Sequence, residues 1–180
     1  MNLVKKLLAL TVFICICSVA HAQVEVTHVS SKGFTATGFG GFLNFSIPIT
    51  ETDAAVIEAA AYVYSSNDTH MVVVPALVGW RHLLDPNNDH GLYVEPVAGY
   101  SFGATDIQKY DANGNALYKP DGNEIDQKVA GPTGGLGFGY LFEQSGPITF
   151  NISLRYEHTF VMGDPALNII SLRISHSFSF

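Results

Sequence analysis

Residues 150–160 read FNISLRYEHTF, and residues 170–180 read ISLRISHSFSF. In the first stretch Phe150, Ile152, Leu154, Tyr156, His158 and Phe160 share one parity, while Asn151, Ser153, Arg155, Glu157 and Thr159 share the other. The second repeats the pattern: Ile170, Leu172, Ile174, Phe178 and Phe180 lie on one side with His176 among them, and Ser171, Arg173, Ser175, Ser177 and Ser179 on the other. Successive side chains of an extended strand point to opposite faces, so each stretch is a ribbon with one greasy side and one small-polar side.

Similar alternation, punctuated by Gly, Pro, Asn and Asp, recurs upstream at about 24–32, 36–49, 54–65, 69–83, 90–104 and 128–142. With the two C-terminal ribbons this makes eight, and an even count suits closure. The pattern predicts an all-β fold, an eight-stranded antiparallel transmembrane β-barrel with short periplasmic turns and longer extracellular loops. Counting back from a periplasmic C-terminus puts the turns at 48–53, 84–89 and 143–147 inside. Those at 30–34, 65–69, 106–126 and 161–165 fall outside, so the longest connection is extracellular.

The N-terminus has a different grammar. Lys5 and Lys6 precede an apolar run over 7–19 and then Ala20-His21-Ala22, the charged, apolar and small-x-small regions of a cleaved secretory signal. Residues 1–22 are therefore expected to be removed, leaving 23–180 as one outer-membrane barrel domain. Cys15 and Cys17 lie inside the signal, so the exported chain has no disulfide, thiolate metal site or cysteine nucleophile. The chain carries a formal charge of −7, which excludes a nucleic-acid partner that would need a basic face.

Alternation alone does not say which face points outward. Charged residues are 14% of the chain, against roughly 25% in soluble domains. The polar parity is built from Ser, Asn, Thr and Gly, whereas a water-facing sheet normally carries many Lys and Glu. The three arginines, Arg81, Arg155 and Arg173, all fall within expected strands, and Glu58, Glu95 and Glu157 can share the enclosed face. A confined charge must be paired, so these six residues are expected to form an ion-pair cluster inside the lumen. Aromatics gather near strand ends on the apolar parity: Tyr140, Phe142, Phe178, Phe180 and Trp80 at one end, and Tyr100, Phe102, Tyr156 and Phe160 at the other. Two interfacial girdles would arise in this way. Pro75 and Pro96 each lack a ladder donor and predict bulges or local breaks. Gly135, Gly137 and Gly139 share one parity, as a narrow lumen would require where large side chains cross it. No internal repeat stands out at this level.

On these residues, above all the signal segment, the alternating strands and the aromatic ending at Phe178 and Phe180, the chain resembles the small outer-membrane barrels of the OmpA/OmpX type and similar Bacteroidetes-like barrels. The resemblance implies outer-membrane lipid as surroundings and recognition of the terminal aromatic strand, Phe178 and Phe180, by the barrel-assembly machinery. Arg155-Tyr156-Glu157-His158 also resembles a segment of lipid A deacylase barrels, in which a His on the membrane-facing wall works with a Ser two residues later. Here that place is Phe160, and Thr159 points to the other face.

His158 is thus the single candidate base for a lipid-modifying enzyme, and no cofactor is implied. His176 has no second ligand at strand spacing and reads as an apolar-face histidine rather than a metal site. Asp111-Ala112-Asn113-Gly114-Asn115 lacks the sixth-place glycine and twelfth-place acid of a calcium loop, so Asn113-Gly114 and Asp121-Gly122 read as turn dipeptides. Tyr110, Leu117 and Tyr118 in the long loop could make a contact surface or an extended hairpin. The expectation is a non-enzymatic barrel with a side-chain-filled lumen, structural or acting on an extracellular ligand through loop 105–127. A general diffusion pore is disfavoured because eight strands leave a lumen that side chains can fill.

Overall fold

A computed structural model describes residues 23–67, 69–85, 90–111, 115–142 and 148–178 of the chain. The signal segment, with Cys15 and Cys17, and Asn113-Gly114, the turn at 143–147 and Phe180 lie outside the described residues, as do the side chains of His176 and Phe178. Eight strands follow in order: β1 (Gln23–Ser31), β2 (Phe34–Pro48), β3 (Asp53–Ser66), β4 (Thr69–Leu83), β5 (Gly91–Thr105), β6 (Gly131–Leu141), β7 (Ile148–Thr159) and β8 (Leu167–Phe178). Each pairs antiparallel with its sequence neighbours, and β8 returns to pair with β1, closing the barrel. Closure leaves no free sheet edge.

The hairpin joining β1 to β2 has only Lys32 and Gly33 between the paired Ser31 and Phe34, and Gly33 supplies the left-handed φ of +85° that so tight a reversal needs. The prolines break the ladder without bulging it. Pairing of β3 with β4 skips from Ala59↔Ala76 to Tyr62↔Val73 around Pro75, and pairing of β4 with β5 skips from Gly79↔Val97 to His82↔Val94 around Pro96. Register resumes unchanged in both places, because each proline removes one donor and inserts no residue.

The outer wall is greasy. Phe39, Val63, Val78, Leu136, Leu154 and Leu172 each keep more than half of their surface exposed. Among the described residues no helix is long and apolar enough to cross a membrane, which says nothing against strands.

The interior departs from the small-polar lumen that the parity suggests. The half nearest the long 106–130 loop is filled by an apolar plug in which Tyr62, Tyr64, Met71, Val73, Leu167 and Ile169 are buried. Val129 and Val161, from the loops above, complete it. That end is sealed by packing, so inward positions there can be apolar without meeting water. The strand expected from residue 128 begins only at Gly131, because Val129 is turned down into this plug.

Candidate functional site

The lower half of the lumen holds the charges. Arg155 on β7 reaches across the barrel with its planar fork: Nη1 donates to Glu58 Oε1 at 2.5 Å, Nη2 donates to Glu95 Oε1, and Glu157 Oε1 lies 3.7 Å away. Arg173 on β8 places Nη2 2.8 Å from the second oxygen of Glu58 and Nε 3.3 Å from Glu25, and its guanidinium lies over the Phe42 ring at 3.6 Å. Arg81 on β4 pairs with Glu95 at 2.6 Å and rests over Tyr93 at 4.7 Å. The network thus brings together Glu58, Arg81, Glu95, Arg155, Glu157 and Arg173.

Neutral groups join the network: Asn44 donates to Glu58 at 3.0 Å and Tyr62 to Glu157 at 3.2 Å, while beside them Tyr93 donates to Asn151 at 2.8 Å. Arginine suits the position because its delocalised charge binds two carboxylates in one plane and tolerates desolvation better than an ammonium. Lumen-facing glycines make room. A Cβ on Gly137 would stand 3.4 Å from Glu95, and one on Gly139 only 2.6 Å from the Tyr93 ring. A cavity of about 10 Å³, room for about one water, remains between Asn44, Tyr93, Asn151 and the three arginines.

Glu25 belongs to this network although sequence reasoning did not include it. Its signal was the alternation of Val24 and Val26 with Glu25 and Thr27, in the strand whose start is least marked. Tyr62 and Tyr93 were hidden differently, since an inward tyrosine looks like an outward girdle residue until its register is known.

Above the barrel, the long loop folds into a three-way β junction. The Lys109 N–H donates to Ile125 O at 2.7 Å, Ile125 N–H to Leu117 O at 3.0 Å, and Leu117 N–H to Lys109 O at 2.9 Å. These residues stand eight apart because the loop carries a short repeat: Tyr110-Asp111-Ala112-Asn113-Gly114-Asn115-Ala116-Leu117, then Tyr118-Lys119-Pro120-Asp121-Gly122-Asn123-Glu124-Ile125. The expectation of no repeat is corrected here. Two octads are too short to show at the 20–50-residue periods that mark repeat folds.

The flanks of each octad pair antiparallel, Tyr110 with Ala116 and Tyr118 with Glu124. Asp111 N–H donates to Asn115 O at 2.9 Å in the first, and Lys119 N–H to Asn123 O at 2.7 Å in the second. In the second arm Gly122 N–H closes the turn on Lys119 O at 2.9 Å, with Gly122 at φ +85°. This is the three-residue loop in which a left-handed glycine follows a type I turn. The asparagines at the matching place of the two octads are each held by an aspartate, Asn115 by Asp111 at 2.8 Å and Asn123 by Asp121 at 3.1 Å through backbone N–H. The Asn123 backbone N–H, joined by its side-chain amide, holds the Asp121 carboxyl below its ordinary range.

The junction is latched to the barrel. Lys109 Nζ pairs with Asp164 at 2.9 Å, Asp164 also accepts the Lys128 N–H at 3.2 Å, and Ile107 packs against the plug. Tyr110 and Tyr118, equivalent in the two octads, remain more than half exposed.

On the outer wall, His158 Nδ1 meets Asn168 Oδ1 at 2.8 Å, and Tyr156 OH donates to the same oxygen at 2.7 Å. Phe160 packs edge-on against the His158 ring at 4.3 Å between centroids. The neighbouring hydroxyl, Thr159, points into the lumen and is bonded to Thr133 at 2.8 Å. The one hydroxyl of β7 next to this imidazole on the outer face is the Tyr156 phenol, and it is bonded to Asn168. Among the described residues no cluster of three or more His, Cys, Asp or Glu could hold a metal ion.

No family model and no curated protein matches the chain. Solved structures do. The fold is that of small outer-membrane barrels. Neisserial surface protein A superposes with a TM-score of 0.62 at 12% identity, over 85% of this chain and 92% of that one. The attachment invasion locus protein Ail of Yersinia pestis superposes with a TM-score of 0.58 at 12% identity, over 86% and 93%. At such identity the likeness speaks for the architecture and leaves the chemistry to the residues.

Proposed function

We propose that this chain is an exported, non-enzymatic outer-membrane barrel of the OmpA/OmpX-like kind, whose working part is the two-armed loop held above a closed lumen. The observation that carries it is the continuity of loop and plug: Lys109, Lys128 and Asp164 fasten the junction, and Ile107, Val129 and Val161 pack below it. Such a cap blocks passage and presents a fixed surface. The exposed apolar wall supports a lipid environment, since it would be costly in water at roughly 25 cal/mol per Å². On this reading residues 1–22 are cleaved on export, and Phe178 and Phe180 are read by the barrel-assembly machinery.

The loop segment 106–130 carries Asp106, Asp111, Asp121, Glu124 and Asp126 against Lys109, Lys119 and Lys128. An acidic balance with two exposed tyrosines suits a neutral or cationic surface partner rather than a polyanion. Cells producing a variant with 110–124 replaced by a short Gly-Ser turn should carry as much folded barrel in their outer membranes. Their attachment to cultured epithelial layers is expected to fall to that of cells lacking the protein. Undiminished attachment would remove the loop from the function.

The second reading, an enzyme acting on outer-leaflet lipid, has one point in its favour: Asn168 fixes the His158 tautomer, leaving Nε2 as a potential base. Phe160 takes the place a nucleophile would need. Purified barrel incubated with lipid A is expected to release no fatty acid, and His158→Ala to behave identically; release that the substitution abolishes would reverse the assignment.

A further inference from the structure

The wall facing lipid is not uniform around its extracellular rim. Consider the two outward positions nearest that end of each strand. On β7, β8, β1 and β2 these are Tyr156 and His158, Asn168 and Ile170, His28 and Ser30, and Thr35 and Thr37. All but Ile170 are polar. On β3, β4, β5 and β6 they are Val63 and Ser65, His70 and Val72, Phe102 and Ala104, and Pro132 and Gly134. Only Ser65 and His70 there are polar. An interfacial belt would run all the way round, so one-sided polarity needs another cause.

The polar positions are in register. Tyr156↔Ile170, Ile170↔His28 and His28↔Thr37 make one rank across four strands, and His158↔Asn168, Asn168↔Ser30 and Ser30↔Thr35 make the rank above it. At about 4.8 Å between strands and about 6.8 Å between alternate residues, the patch measures roughly 14 by 7 Å. That footprint matches a disaccharide better than a single phosphate.

Its groups are bonded to one another on one side and free on the other. Asn168 Oδ1 accepts from Tyr156 and His158, Asn168 Nδ2 donates to Ser30 O at 3.5 Å, and His28 Nδ1 meets Thr37 Oγ1 at 3.1 Å. The carbonyl-type oxygen of Asn168 can only accept, so His158 Nδ1 carries the proton and its Nε2 lone pair faces outward chemistry. Among the described residues the hydroxyls of Ser30 and Thr35 and the Nε2 atoms of both imidazoles have no protein partner. Lys32, exposed in the β1–β2 turn, stands at the outer end of the same strands. Hydroxyls, an amide and imidazoles at headgroup height suit sugar hydroxyls, and the lysine suits a phosphate on them.

We propose that this patch on β7, β8, β1 and β2 binds the phosphorylated saccharide headgroup of an outer-leaflet glycolipid. The inference rests on the membrane reading above. The test is native mass spectrometry of barrel in nanodiscs of phosphatidylethanolamine doped with lipid A, after release into mild detergent. Wild-type barrel is expected to retain one lipid A, and His28→Val with Asn168→Val to retain at least tenfold less. Thr37→Val with His158→Leu, an independent pair, should do the same, while Val72→Thr on the opposite wall should not. All should keep the folded, heat-modifiable band. Equal lipid A retention by both double variants, or wild-type barrel holding phosphatidylethanolamine as firmly as lipid A, overturns the patch. A chain that never enters nanodiscs overturns the membrane reading instead.

Discussion

Replacing Arg155 with methionine is expected to destabilise the barrel by about 3–5 kcal/mol, the usual consequence of leaving a buried charge without its partner. Methionine keeps most of the volume, so the loss isolates charge from packing. Glu58 and Glu95 would each lose a guanidinium contact, and Glu157 its nearest cation, with all three buried in the lumen. Urea unfolding in detergent micelles, followed by tyrosine and tryptophan fluorescence, should show the midpoint falling sharply or the barrel failing to form. Adding Glu58→Gln and Glu95→Gln to the same variant is expected to recover part of the loss, because neutral amides tolerate the site without a cation. A single variant that unfolds at the wild-type midpoint would mean that the ion pairs contribute nothing net.

Gly38→Ala is expected to destabilise the barrel, and Gly41→Ala, three residues along β2, to leave it as stable or slightly more so. A Cβ on Gly38 would lie 2.1 Å from the Val63 carbonyl oxygen and 2.7 Å from the Tyr64 ring. The oxygen belongs to the paired backbone and cannot turn aside, so β2 and β3 would have to separate. Overpacking of this kind costs about 1–3 kcal/mol, and here the ladder adds to it. Gly41 faces outward and its Cβ would meet nothing closer than Gln23 O at 3.5 Å. Alanine there should be neutral or stabilise by about 0.4–1 kcal/mol through the unfolded chain. Equal shifts for the two variants would contradict the strand approach at Gly38.

Much of the barrel was legible because its strands obey a period of two against an apolar surround. The ribbon at 150–160 fixed which residues share a face, and Arg155 and Glu157 were found together inside for that reason. The parity was silent about depth. Tyr62, Tyr64 and Met71 sit on the same face as the charges yet build an apolar plug, since only the stagger of neighbouring strands decides which inward positions share a layer. The loop was legible as turns at Asp121-Gly122 but not as a junction.

The amino-acid order by itself determined the number of ribbons, their two faces and the turns between them, because those depend on alternation and on local backbone preference. Tertiary structure alone decided that Arg155 and Arg173 share Glu58, that Glu25 completes the network, and that Lys109, Leu117 and Ile125 close a triangle of backbone bonds. Those meetings join strands and segments through registers set only when the barrel closes. Closure is a property of all eight strands together, so no single stretch of sequence can announce it.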